Sequence, residues 1–264
     1  MKNFDFNRFG KAVKWTALAN KRHLIRFTSV MTIAYLVVQM GPLLNNLFVT
    51  APSEFAIMGV MGFCQVLFAL SCLYCLTYIF QNIKTKQERI VFFTLPFSMP
   101  EKYLTRLIYC CIVMPVASYV GLLASTGVRL LLQFVLRHAD IYVGLVSPSL
   151  PFGYTFSGEM PVVALLTVLS VNLWIASVFV LGGSFFRKQP LVMIFATIFA
   201  CFFLFGWFLS HFVQSIISLF TDFNGYFASW LACAMFLAFA ALNIWQSYRL
   251  FTRMQVVQHK WFNV

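Results

Sequence analysis

The chain has 264 residues, 61% of them hydrophobic and 10% charged, with a mean hydropathy of +0.84, whereas soluble domains hold roughly 45–50% apolar and about 25% charged residues. Thirty-two phenylalanines stand against 7 acidic residues, which leaves too little charged surface for a water-exposed globule of this size. A soluble fold is excluded, and the net charge of +12 becomes a question of where along a membrane chain the basic residues sit.

In chain order, Phe6, Phe9, Val13 and Ala17 recur at helical spacing while Arg8, Lys11 and Lys14 point elsewhere, the pattern of an amphipathic helix lying in the headgroup layer. Residues 1–26 carry seven basic side chains, too long and too interrupted a stretch for the short basic region of a cleavable signal. Six charge-free stretches long enough to cross about 30 Å of hydrocarbon follow: residues 27–49, 55–80, 107–126, 161–186, 190–212 and 226–245. Pro42 and Pro115 are expected to kink the first and third, since each removes a helical hydrogen bond. Ala117, Gly121 and Ser125 form a small-residue seam on the third, either an internal contact or a dimer face.

The connections carry further signals. Residues 81–106 form the longest connection on the basic side; within them Ser98 and Glu101 fit a capping box, with Pro100 tolerated in the first turn, so a helix starts near Met99 and runs into the third span. After the third span, Arg129, Gln133 and Arg137 lie four apart and suggest an outer interfacial helix, followed by an exposed loop at 140–160. Residues 213–220 are apolar but too short to cross, so they are re-entrant or interfacial.

Of the 19 basic residues, 17 fall in the N-terminal segment, the second-to-third and fourth-to-fifth connections and the tail, leaving Arg129 and Arg137 opposite. Both termini are therefore expected in the cytoplasm, and the basic face is explained by topology and anionic headgroups, not by nucleic acid. The predicted fold class is all-α: a polytopic protein of the inner (cytoplasmic) membrane with six transmembrane helices and an N-terminal interfacial helix. It divides into a cytoplasmic amphipathic segment (1–26), a transmembrane domain (27–245) and a cytoplasmic tail (246–264).

Chemistry is sparse. The spans lack Asp, Glu, Lys and Arg, the usual components of intramembrane relays and ion sites. His23, His138, His211 and His259 are too scattered to pair as metal ligands, and Cys72 with Cys75 reads as buried packing, without a second pair or flanking Gly or Pro. With no Gly-x4-Gly-Lys-Ser/Thr loop, ATP hydrolysis is expected only in a partner. No catalytic, cofactor or metal residue is predicted, and the chain is not expected to be an enzyme. Gln39, Gln65 and Asn172 are neutral polar groups at depth whose default role is helix packing.

The run Phe92-Phe93-Thr94-Leu95-Pro96-Phe97-Ser98-Met99-Pro100-Glu101-Lys102-Tyr103-Leu104-Thr105-Arg106, and more weakly Tyr248-Arg249-Leu250-Phe251, resembles the membrane subunits of type-2 ABC exporters, particularly short permease-like proteins of Bacteroidetes-type bacteria. The topology resembles them over the whole chain. The resemblance implies a permease powered by a separate cytoplasmic ATPase, docked on Ser98, Glu101, Lys102 and Arg106, with two membrane subunits, identical or different, forming the path. A non-transporting membrane scaffold or accessory protein is the alternative from another class.

Overall fold

The computed structural model describes residues 5–48, 54–83, 86–135, 162–186, 189–203, 206 and 225–253, and the elements among these residues are helical. Asp5 opens α1 (Phe6–Ala19): its backbone is extended, at φ −128° and ψ 120°, and its carboxylate accepts the Asn7 N–H, satisfying a first-turn donor that has no intrahelical partner. Asn20 closes α1, its backbone N–H and its Nδ2 both donating to the Thr16 carbonyl, and Lys21 starts α2 (Lys21–Phe48) directly afterwards. Ala12, Thr16 and Asn20, spaced by four, face inward, while Phe6 is 82% exposed. The face packed on the protein is thus a different one from the Phe6, Phe9, Val13 and Ala17 stripe expected to meet the headgroup layer, and its small side chains allow a close approach that a phenyl ring does not.

α2 begins ahead of the expected Phe27. Nothing between Lys21 and Arg26 breaks a helix, and long basic side chains at a helix end carry their charge to water. The helix then runs through Gly41 and Pro42 to Phe48. α3 (Glu54–Thr77) ends in a 3₁₀ segment, Tyr78–Ile83, and α4 (Lys86–Thr94) follows. After bends at residues 95–97, α5 starts at Met99, where the sequence places it, and spans Met99–Ile108. The Ser98 hydroxyl makes no capping bond, and the Glu101 carboxylate turns to Arg8 and the Asp5 N–H. It continues through a π-helical segment, Tyr109–Val113, into α6 (Met114–Val135). Pro115 offers no N–H to the preceding turn and its ring crowds the carbonyl four residues back; the helix widens, and Met114 N–H bonds the Tyr109 carbonyl five residues back.

The expected outer interfacial helix is a correction: α6 runs unbroken past Arg129, which is buried, to Val135, so Arg129 and Gln133 belong to the last turns of the same rod. Four-residue spacing suits a continuing helix as well as a new one, no proline lies between Thr126 and Val135, and the helix carries Gly127 through its interior. Arg137, His138, residues 140–160 and 213–220, His211 and His259 lie outside the described residues.

The chain forms two compact units, and the first comprises Met1–Cys75 with Pro100–Thr155. Here α2 and α6 ascend together, Thr32 beside Gly121 and Gln39 beside Ser125, while α3 runs the opposite way, Ser71 meeting Ser118 and Phe68 meeting Tyr119. A Cβ on Gly121 would stand 3.3 Å from the Thr28 carbonyl and from the Thr32 nitrogen, so the Ala117, Gly121 and Ser125 seam packs α6 on α2 inside the unit. Tyr35, Cys64 and Leu122 form its buried core.

The second unit comprises Leu76–Met99 with Phe156–Val264. It holds α7 (Val162–Phe185), α8 (Pro190–Phe203) and α9 (Gly225–Arg253). Contacts advance in step along α7 and α9: Cys233 with the Leu166 carbonyl, Asn243 with Ser177 at 3.0 Å, Ser247 with Ser184. These two helices are therefore parallel, whereas α8 returns along α7, Phe195 against Phe179 and Ile194 over Gly182. Residues 246–253, expected to begin the tail, are the end of α9; Phe251 is wholly buried against Phe80, Phe92 and Phe93.

Among the described residues, five helical stretches are long and apolar enough to cross a membrane: Lys21–Gly41, Gly59–Phe80, Met99–Leu132, Leu165–Phe185 and Trp230–Arg253. The predicted fifth span is described only as α8, about 21 Å long against about 30 Å of hydrocarbon. Polarity is inverted relative to a soluble bundle. Gln39, Ser118, Ser125, Ser170, Ser177, Ser184 and Ser247 are buried, while Val30, Ile33, Val37, Val116, Val120, Phe199 and Trp245 are exposed. Hydroxyls such as Thr28, Thr126, Ser177 and Ser184 donate to carbonyls in the preceding turn, which satisfies them where water is absent.

Candidate functional site

The rarest side chains in this sequence converge at the start of α5. Pro96 and the bends at residues 95–97 stop α4, Ser98 precedes the first residue of the new helix, and Glu101 falls in its first turn, where a carboxylate is favoured by the helix dipole. Its side chain is fully buried, and α1 supplies its partners. Arg8 Nε lies 3.2 Å from Oε1 and 3.1 Å from Oε2, Arg8 Nη2 lies 2.8 Å from Oε1, and the Asp5 backbone N–H donates to Oε1 at 3.0 Å. Charge-assisted, forked arginine contacts of this kind fix direction as well as distance. The hydrogen bond that Arg8 donates to Glu101 raises the Arg8 pKa above its already high ordinary value.

Lys102 and Arg106, spaced by four, are also buried, as are Tyr103, Thr105 and Tyr109. Ser98 is half-buried, and Met99, Pro100 and Leu104 are the exposed residues of α5. The structure thus brings Glu101, Lys102 and Arg106 onto one short helix beneath α1 and leaves the apolar Met99 and Leu104 facing outward. The Thr105 hydroxyl donates to the Glu101 carbonyl at 2.7 Å, closing the turn behind the carboxylate.

Sequence reasoning missed Arg8 as the partner of Glu101. The available signal was scarcity: only Asp5, Glu88 and Glu101 are acidic on the side that carries 17 basic residues, so each acid there is outnumbered by cations. Pattern alone does not say which arginine wins. It also missed the polar chain through the first unit, where Tyr35 Oη lies 3.0 Å from Ser118 Oγ, Ser118 lies 2.7 Å from Ser71 Oγ, and Gln39 Nε2 donates to Ser125 Oγ at 3.2 Å. Cys72 and Cys75 are buried free cysteines. Among the described residues, no three His, Cys, Asp or Glu side chains converge as a metal-binding group. Compared with known protein families, curated proteins and solved structures, the chain has no match.

Proposed function

We propose that this chain is the membrane-spanning permease subunit of an ATP-driven exporter, powered by a separate cytoplasmic ATPase and paired with an identical or different membrane subunit. The observation that carries the reading is the Arg8–Glu101 clasp, which ties α1 to a helical rod entering the apolar region through residues 99–135. A push on α1 or on the exposed Met99, Pro100 and Leu104 is delivered to α6 along one helix. Glu101, Lys102 and Arg106 would transmit from beneath the docking surface, and Ser98 marks its edge. The likeness of residues 92–106 to exporter permeases supports the same assignment. Tagged full-length chain purified in mild detergent should bring down an ATP-hydrolysing partner, and the double substitution Met99→Asp and Leu104→Asp should lose it while the protein stays in the membrane. Retention of partner and turnover by that variant sinks the docking surface.

The proposed topology has six spans, both termini in the cytoplasm of the inner membrane, and α1 in the interface. The basic-residue distribution supports it, and so does the parallel packing of α7 and α9: parallel neighbours require the chain between them to travel back along α7 before α9 begins. In a version lacking native cysteines, Ser149→Cys should react with an impermeant outside reagent and Lys86→Cys should not; the reverse pattern overturns the orientation. Phe6, 82% exposed, should anchor α1 to lipid, so Phe6→Asp should increase water access along α1.

A non-transporting scaffold is the second reading. It is favoured by the polar side chains at depth, which bond one another: Tyr35 to Ser118 to Ser71, Gln39 to Ser125, Asn243 to Ser177. Copurification with a partner that has no nucleotide hydrolysis would select it.

A further inference from the structure

At the ends of α7 and α9 and the start of α8, the second unit holds an open cavity of about 550 Å³, within the range of ligand-sized pockets. Leu181, Ile194 and Ile198 line its body, and Gly182 lets Ile194 close in at backbone distance. Arg249 and Arg253, one turn apart on α9, line it too, and among the described residues no acidic one does. Arg249 lies over the ring of Trp245, 5.3 Å from its centroid, and both side chains are exposed. Cations at a helix C-terminus are favourable on their own, but that does not account for a ligand-sized apolar hollow beside them.

We infer that this cavity binds one anionic phospholipid, its acyl chain against Leu181, Ile194 and Ile198 and its phosphate on Arg249 and Arg253. The chemistry is complementary at both ends. An apolar hollow in a lipid-facing unit takes a hydrocarbon chain, and paired guanidinium groups take phosphate oxygens with fork geometry. A zwitterionic lipid offers the same tail but brings its own ammonium against the arginines. The site belongs to α7, α8 and α9 alone and does not depend on the exporter assignment.

Trp245 is a built-in reporter. A full-length variant keeping only that tryptophan, with the other five replaced by Phe, is reconstituted in phosphatidylcholine nanodiscs containing brominated phosphatidylglycerol or brominated phosphatidylcholine. Two surface arginine–lipid contacts correspond to roughly thirtyfold preferential binding of phosphatidylglycerol. Arg249→Gln alone should lower that preference to roughly fivefold, and Arg249→Gln with Arg253→Gln should abolish it at unchanged helical content. Ile198→Phe, which fills the cavity and keeps both arginines, should also weaken it. Native mass spectrometry of the unaltered chain should retain one phosphatidylglycerol per chain, a reading independent of the tryptophan replacements. Equal quenching by the two brominated lipids, undiminished preference in the folded double variant, or indifference to Ile198→Phe overturns the site.

Discussion

Arg8 holds Glu101 across 93 positions of sequence, with Nε 3.1 Å from one carboxylate oxygen and Nη2 2.8 Å from the other. The carboxylate is fully buried, so its charge relies on what α1 supplies. Arg8→Gln should therefore loosen α1, read as faster amide exchange over Phe6–Ala19, and Glu101→Gln should restore much of that protection by removing the stranded charge. Strictly additive effects of the two substitutions would mean that the clasp is not the link. Because the Arg8 pKa is raised, its contribution is complete from neutral pH up to the ordinary arginine range, and on the alkaline side it is lost only above that range. Protection of α1 should accordingly stay flat from neutral pH to about pH 10.

Ser118 is the shared member of the bonds to Tyr35 and Ser71. Ser118→Ala should destabilise the first unit by about 0.6–2 kcal/mol. The control is Ser29→Ala, whose hydroxyl donates to the Ile25 carbonyl within its own helix and is exposed; its effect on thermal unfolding in detergent should be close to nil. Equal losses in both variants would remove the special role of Ser118.

A Cβ on Gly183 would sit 2.6 Å from the Thr77 carbonyl oxygen, a backbone atom that cannot rotate away, whereas one on Gly127 meets nothing within 4 Å. Gly183→Ala should cost about 1–3 kcal/mol as an overpacking substitution. Gly127→Ala should instead stabilise by about 0.5–1 kcal/mol, since alanine loses less backbone freedom in a helix interior. Thermal unfolding of the two single variants checks the opposite signs.

If Pro115 causes the π segment, Pro115→Ala should return Tyr109–Val113 to α-helix and turn α5 by about 100° relative to α6, one residue's worth of helical phase. Glu101 would then swing away from Arg8. Spin labels at Gly10 and Leu104 should report a changed separation; an unchanged one would place the cause of the π segment elsewhere.

Much of this architecture was legible because lipid imposes simple rules. Helix existence followed from charge-free length, and the α5 start followed from Ser98, Pro100 and Glu101, because first-turn residue preferences are local, although the Ser98 hydroxyl makes no capping bond. Ends were less legible. Lys21 and Arg249 are helical although basic, since a long side chain can carry its charge past the end of the apolar zone, so charge marks where hydrocarbon stops and not where the helix stops. The face by which α1 packs on the protein was illegible because Ala12 and Thr16 are selected by fit against neighbours and not by hydropathy. The partner of Glu101 was illegible for the same reason: only the fold brings Asp5 and Arg8 to the first turn of α5.

The apolar stretch Met99–Leu132 has 34 residues, about 51 Å of helix against about 30 Å of hydrocarbon. Tilting cannot hide the surplus. Even at about 40°, the steep end of transmembrane tilts, the oblique path through hydrocarbon is only about 39 Å, leaving about 12 Å, or some eight residues, outside. The end that carries Glu101, Lys102 and Arg106 is the one whose immersion would cost most, and eight residues counted from Met99 finish at Arg106. Bilayer thickness therefore acts as a ruler for this protein: a thicker membrane engulfs more of the rod and shortens the protruding stub, and a thinner one lengthens the arm on which α1 is hung.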